Sequence, residues 1–236
     1  MDRAAEAARW LAEAWETGNP LAPLPPEIAP RDTAEGEAIA FALLEALGLA
    51  PCGVRVAPGP AGGLIVAPLP ETRLLHSPAS VALAALRHPR ATAAIIGVLA
   101  EPLEDDAPPR FAALHPAVDI AASRFTRGAA DAAAAVADLA ELGLLVAGRA
   151  MPPEPPPATV AFGPAGARRR GAALDIAAAF APAVAAARRF GGLPAGALLV
   201  AAGLSAAVVP EGDAVLVARF GRSGRAEARF TSGTSG

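Results

Sequence analysis

A mixed, β-rich α+β fold is what this 236-residue sequence predicts. Three observations predict it. Long helical patterning dominates the first 50 residues or so. After Leu49, short β-type runs alternate with Gly and Pro. Only three helical segments interrupt those runs, too few for a regular βαβ array, which needs a helix after nearly every strand. At roughly 100–200 residues per domain, the length fits one large domain with a small helical attachment. The boundaries read as a helical region over 1–50, a mixed β domain over 51–230, and a frayed tail over 231–236 that has no apolar anchor.

The first 18 residues read as a helix. Ala5, Ala8, Leu11 and Trp15 share one face, while Glu6, Arg9 and Glu13 lie elsewhere. Gly18-Asn19-Pro20 stops it. A proline-rich connector follows, with Pro20, Pro23, Pro25 and Pro26. Asp32 then stands three residues before Glu35, the spacing of a capping box. It opens a second helix from about Ala34 to Leu47, with Ile39, Leu43, Leu44 and Leu47 as its apolar stripe. Strands are expected at Gly53–Val56, Gly63–Ala67, Ala94–Leu99, Ala117–Ala121, Leu144–Val146, Thr159–Phe162, Ala197–Ala201, Ala214–Phe220 and Ala226–Phe230. Helices are expected near Ser80–Arg87, Ala129–Leu142 and Ile176–Arg189. Met151 to Pro157 holds five prolines and reads as a rigid connector.

Composition narrows the function classes. Hydrophobic residues are 53% and charged residues 18%, against roughly 45–50% and 25% in ordinary domains. Ala exceeds a quarter of the chain, Lys, Tyr and Gln are absent, and Asn19 is the only Asn. That profile reflects codon bias more than a fold requirement, and it weakens helix propensity as a guide. No stretch has the length and apolarity of a membrane span, and the opening Met1-Asp2-Arg3-Ala4-Ala5-Glu6 is not a signal sequence. A cytoplasmic location is expected. A lone cysteine, Cys52, excludes an intrachain disulfide and any multi-cysteine metal site. The net charge of -3 argues against nucleic acid as a partner.

Several motifs fail on inspection. Gly59-Pro60-Ala61-Gly62-Gly63 lacks both the Lys-Ser/Thr of a phosphate loop and dinucleotide-turn spacing. His76, His88 and His115 are unpaired at helical spacing. Ser205 and Ser223 lack a nucleophile-elbow setting. Glu101, Glu104, Asp105 and Asp106 form an acidic run bounded by prolines, and Arg168-Arg169-Arg170 a basic one. Both read as solvated loops.

The C-terminal third carries a resemblance. Gly191-Gly192-Leu193-Pro194-Ala195-Gly196 leads into Ala197–Val200, then Ala202-Gly203-Leu204, a turn at Glu211-Gly212-Asp213, a strand to Phe220, and a close through Gly221 and Gly224 to Arg229-Phe230. Earlier come Gly53-Val54-Arg55-Val56, the run from His115-Pro116-Ala117-Val118-Asp119 to Ser123-Arg124-Phe125, and Val136-Ala137-Asp138-Leu139-Ala140-Glu141-Leu142-Gly143. In this order the segments resemble the 2-keto-4-pentenoate hydratase and 4-oxalocrotonate decarboxylase family, of the fumarylacetoacetate hydrolase-like superfamily. The resemblance spans nearly the whole chain and implies that superfamily's fold.

It also implies a chemistry. The family uses Mg²⁺ or Mn²⁺ held by a Glu-x-Glu pair on one strand and a later Asp. Here those positions fall on Thr92, Ala94 and Ala122, and methyl groups cannot ligate a hard cation. No cofactor is therefore expected. The family lysine near the substrate carboxylate matches Arg55, which keeps the charge. Arg55, Arg124 and Ser123 are the candidate substrate-binding residues. Asp138 is the candidate proton-transfer group, with bracing of its helix as the equal alternative. Two readings follow. One is a divergent hydratase, adding water to a 2-hydroxy-2,4-dienoate or a similar small keto or enol acid. The other is a catalytically inactive homologue that binds a partner, or one with metal-independent chemistry on a related acid. The resemblance implies a homo-oligomer or a complex with a pathway partner.

Overall fold

The computed structural model describes residues 2–104, 107–222 and 224–232. Two helices come first, α1 (Arg3–Thr17) and α2 (Thr33–Ala46). Asp2 caps α1 by accepting from the Ala4 N–H, and Gly18 ends it in the left-handed conformation. Asp32 caps α2 by accepting from the Glu35 N–H, as the capping-box spacing predicts. Then come strands β1 (Pro51–Pro58), β2 (Leu64–Pro70), β3 (Leu74–His76), β4 (Ala79–Ala82), β5 (Arg90–Leu99) and β6 (Phe111–Ala121). Helix α3 (Ala132–Ala137), β7 (Leu142–Ala147), β8 (Thr159–Pro164), β9 (Ala172–Ala173), α4 (Ile176–Arg189), β10 (Leu198–Ala201), β11 (Val215–Phe220) and β12 (Gly224–Thr231) complete the chain.

The strands form two sheets. The larger has the order β2-β1-β10-β5-β6-β7-β3, and the smaller β4-β12-β11-β8-β9. Most pairings are antiparallel; β1 with β10, β3 with β7, and β12 with β4 are parallel. Alternation along the larger sheet sends its two faces into different cores. Val54, Ala93, Ile95, Val118, Ile120 and Leu199 join the smaller sheet and α4. Ala94, Ile96, Ala117, Leu142, Leu145 and Val200 join α1 and α2. A third, small cluster sets Ile65 and Ala67 of β2 against Val136 of α3. Helices α2 and α3 pass so closely that a Cβ at Gly36 would lie 2.5 Å from the Ala133 carbonyl oxygen.

All nine predicted strands are present, and α4 has its predicted bounds. The helix expected near Ser80–Arg87 is instead β4 followed by a single 3-10 turn over Leu83–Ala85. Its Ala and Leu content is filler rather than helix signal, and pairing with β12 decides the segment. The helix expected over Ala129–Leu142 is cut to Ala132–Ala137, because the next residues turn left-handed. Strands β3 and β9, of three and two residues, were not foreseen. Of the expected tail, Thr231 pairs with Ala82 as the end of β12; residues 233–236 lie outside the described residues, as do Asp105, Asp106 and Ser223.

Candidate functional site

The α1–α2 face of the larger sheet carries the charged residues. Antiparallel partners directly opposite one another project to the same face. Thr92 of β5 is opposite Asp119 of β6, and Ala94 opposite Ala117. Two residues opposite and adjacent along one face therefore hold Thr92, Ala94 and Asp119 together. Arg55 of β1 reaches the same place. Its Nε and Nη2 donate to the two carboxylate oxygens of Asp119, each at 2.7 Å. Its Nη1 donates to the Ala140 carbonyl at 2.8 Å. Arg55 is fully buried and Asp119 almost so. A two-pronged pair of this kind is the strongest that Arg offers a carboxylate. Thr92 Oγ1 accepts from the Gly203 N–H at 3.1 Å.

A second cluster lies beyond it in the chain. Asp138 is fully buried at the end of α3. It accepts from Arg124 Nε, from the Arg124 N–H at 2.9 Å, and from Ser123 Oγ at 3.1 Å. Burial pushes its carboxyl above the usual carboxylate range, and Arg124 and Ser123 offset only part of that. Glu141, also buried, accepts from Arg90 Nη2 at 2.7 Å.

Between the clusters, Leu139, Ala140 and Glu141 have φ of 52°, 53° and 55°. Three consecutive non-glycine residues in this region cost about 1–2 kcal/mol each, and such strain persists only where the surroundings impose it. Here they do. The Asp138 carbonyl accepts from Arg124 Nη2 and from the Glu141 N–H. That of Leu139 accepts from the Leu142 N–H, and that of Ala140 from Arg55. That of Glu141 accepts from the Ala122 N–H at 2.7 Å, and that of Leu142 from Arg124 Nη1 at 2.6 Å. Gly143 closes the turn, where a Cβ would meet the Ile120 carbonyl oxygen at 2.7 Å.

The structure thus gathers Ser123, Arg124 and Asp138 into one cluster, and joins Arg55 to it through the left-handed turn. Every guanidinium nitrogen of Arg55 and Arg124 has an acceptor within the chain. Sequence reasoning missed Asp119, although it lies inside the segment that carries the resemblance. The signal was its place opposite Thr92. The rejected motifs stay apart. Cys52 is half-buried and donates to the Leu69 carbonyl, and burial pushes its thiol up to about 11, so it is no thiolate nucleophile. Arg168, Arg169 and Arg170 are exposed and line a separate cavity with Arg219.

No protein-family model and no curated protein matches the chain. Solved structures do. A 4-oxalocrotonate decarboxylase from Pseudomonas putida G7, complexed with magnesium and adipate, is 20% identical with a TM-score of 0.82, over 96% of this chain and 97% of that one. The same decarboxylase complexed with calcium and acetate gives 0.80 at 20% identity over 97% of both. A 2-hydroxyhepta-2,4-diene-1,7-dioate isomerase from Mycobacterium marinum gives 0.51 at 14% identity, over 78% of this chain and 77% of that one. The chain has the fumarylacetoacetate hydrolase-like fold. Two buried acidic–basic clusters and a left-handed turn occupy the sheet face on which the resemblance puts an ion.

Within this hydrolase-like fold, the residues at the expected ion position do not fit a divalent cation. Thr92 offers one hydroxyl, already bonded to Gly203, and Ala94 and Ala122 offer methyl groups. The carboxylate opposite Thr92, Asp119, has both oxygens committed to a fixed positive charge, and the nearby Glu141 is paired with Arg90. Hard cations need several free oxygen ligands. Among the described residues, no group of three or more His, Cys, Asp or Glu converges as ligands would.

Proposed function

We propose that this chain is a non-hydrating relative of the hydratases and decarboxylases it resembles, one in which a protein cation stands in for the metal ion and the fold serves a structural or partner-binding role. One observation carries this reading: the guanidinium of Arg55 closes on both oxygens of Asp119, beside Thr92 and Ala94. Hydration of a 2-hydroxy-2,4-dienoate needs its C1 carboxylate and C2 oxygen polarised as electrons shift toward the keto form. Arg55 is the cation that reaches Thr92 and Ala94, and each of its three nitrogens already donates to an acceptor inside the chain. The proposed protein takes no divalent cofactor, and its partner is a second copy or another chain.

A second reading has its own observation. Ser123 and Arg124 also line a cavity open to solvent, and Asp138, with its raised carboxyl, sits directly behind them. That arrangement supports metal-independent proton transfer on a small keto or enol acid, with Asp138 moving the proton and Arg124, its nitrogens already engaged with the Asp138 segment, lending only its positive charge.

The test follows the absorbance of 2-hydroxypenta-2,4-dienoate with the purified protein in Mg²⁺, Mn²⁺ and chelator, with Mn²⁺ binding read by electron paramagnetic resonance. The proposed reading expects the uncatalysed rate throughout and free-Mn²⁺ spectra. Ion-dependent turnover overturns it. Turnover that ignores chelator and disappears in Asp138→Asn replaces it with the second reading.

A further inference from the structure

The C-terminal end of α1, Arg73, residues 84–87 and residues 122–124 enclose a cavity of about 370 Å³. It has no part in the Arg55–Asp119 pair. Arg73 is half-buried in its wall, in the 3-10 turn before β3, with its guanidinium 3.6 Å from the centre of the Trp15 ring. Arg124 lies over the same ring at 5.0 Å. Arg87 stands exposed on the rim. Among the described residues neither Arg73 nor Arg87 forms an ion pair or a side-chain hydrogen bond, whereas Arg124 is fully engaged with the Asp138 segment. Glu16 is the one carboxylate lining the cavity, at the exposed edge.

A half-buried cation with no carboxylate in direct contact is unusual, because burial penalises charge unless something opposite in sign compensates. The penalty is visible here: burial, and then the neighbouring charge of Arg124, pull Arg73 down to about 10, and the charge of Asp138 offsets only part of that. The remaining wall sets Trp15, Ala85, Leu86 and Ala122 beside the polar Thr17, Asn19 and Ser123. Its size falls at the lower end of small-molecule sites, roughly 300–1,000 Å³.

We infer that this cavity is a binding site for a small organic acid, whose carboxylate pairs with Arg73 and Arg87 and whose hydrocarbon part lies against Trp15 and Leu86. Arg is the side chain suited to this, since its planar fork matches a carboxylate and stacks on an aromatic ring at the same time. A carboxylate there gives Arg73 a direct partner, where the chain supplies only the charge of Asp138, itself bonded to Arg124. The inference does not depend on whether the Arg55–Asp119 position is silent.

Trp15 is the built-in reporter, and Trp10, 44% exposed, is the other tryptophan. In a Trp10→Phe background, fluorescence is titrated with succinate, benzoate and inorganic phosphate at constant ionic strength set with chloride. Saturation by succinate or benzoate is expected, with half-saturation at about 1 mM and a weaker response to phosphate. Arg73→Gln is expected to raise the half-saturation about tenfold or more, and Arg87→Gln about threefold. Arg168→Gln, on the separate cavity, is expected to change nothing. Circular dichroism and thermal melting verify that each variant folds. Removing Arg73 takes away like-charge crowding, so its variant is expected to melt no lower than the parent. A response no different from chloride overturns the site. So does unchanged binding in Arg73→Gln. Phosphate binding as tightly as the organic acids overturns the organic-acid assignment.

Discussion

The two faces of the larger sheet share one alternating pattern and differ in chemistry. One face meets the smaller sheet and α4 through side chains such as Ile95, Val118, Phe180 and Phe230, and among the described residues none of the buried charges lies in that layer. The other meets α1 and α2 through an equally tight apolar set, yet it also contains Arg55, Asp119 and Thr92. Hydrophobic burial is enough to hold a sheet face, as the first face demonstrates. Buried ion pairs often contribute no more than well-packed apolar residues of the same size. The charges of the second face are therefore not required by its stability. They have a geometric task, holding the carbonyls of a left-handed turn that no glycine eases, and they occupy the position where the resemblance puts an ion.

This contrast breaks down or sharpens under substitution. Asp119→Ala leaves Arg55 charged and uncompensated in the interior, and is expected to cost about 3–5 kcal/mol, measured by urea unfolding. Phe180→Ala on the other face is expected to cost a similar amount, about 3–5 kcal/mol, through the cavity it leaves. The two losses differ in how they are repaired. Pairing Asp119→Leu with Arg55→Met is expected to recover most of the lost stability, and no polar partner can repair Phe180→Ala. Failure of the double variant to recover would mean that the charges are needed for stability after all.

Arg124→Gln is next in size. It frees the Asp138 and Leu142 carbonyls and strips Asp138 of its main cation. A loss of about 2–3 kcal/mol is expected, as for hydrogen bonds to a charged group. Amide exchange should rise most over Leu139–Leu142; a uniform rise across the chain would argue against a local clamp. Asp32→Ala removes the cap of α2, the helix that covers the charged face, and should cost about 1 kcal/mol, read by the same unfolding curves.

The smallest effect is a pH dependence. Hydrogen bonds and charge from Arg31 hold the Glu35 carboxyl down at about 2. Folding thus depresses this group, so its contribution is present above its ordinary value near pH 4.5 and is lost as pH falls toward 2. Glu35→Gln should flatten that acid limb by removing the contribution made above pH 4.5, so that its stability falls slightly near pH 7 and meets the parent's toward pH 2. Because the group is exposed, salt should weaken the effect.

Most of the fold was legible because strands announce themselves by alternation and helices by their caps. Val215–Phe220 reads as a strand from its period of two, and Asp32 with Glu35 marks where α2 begins. Where Ala is filler, propensity misleads: Ala82, Ala84 and Ala85 read as helix while pairing with β12 makes the segment a strand and a turn. The left-handed run at Leu139–Glu141 was illegible for another reason. Nothing local favours it, and arginines from distant strands impose it. The site was half legible. Arg55, Ser123, Arg124 and Asp138 all lie in the two clusters, but their engagement with one another, and the part of Asp119, depend on strand register, which pairs residues far apart in the chain.

The position of β10 has a consequence for how the chain is made. It is the strand between β1 and β5, and Gly53 pairs with Leu198 across about 145 residues of sequence. At a synthesis rate of about 5–20 residues per second, the edge of β1 waits roughly 7–30 seconds for this partner, and that of β5, nearer to it in the chain, roughly 5–20 seconds. Until then the nascent chain carries two half-sheets with open backbone edges, each a template for pairing with a wrong strand. The time taken to translate the chain between β5 and β10 then sets how long those edges stay open to wrong pairing.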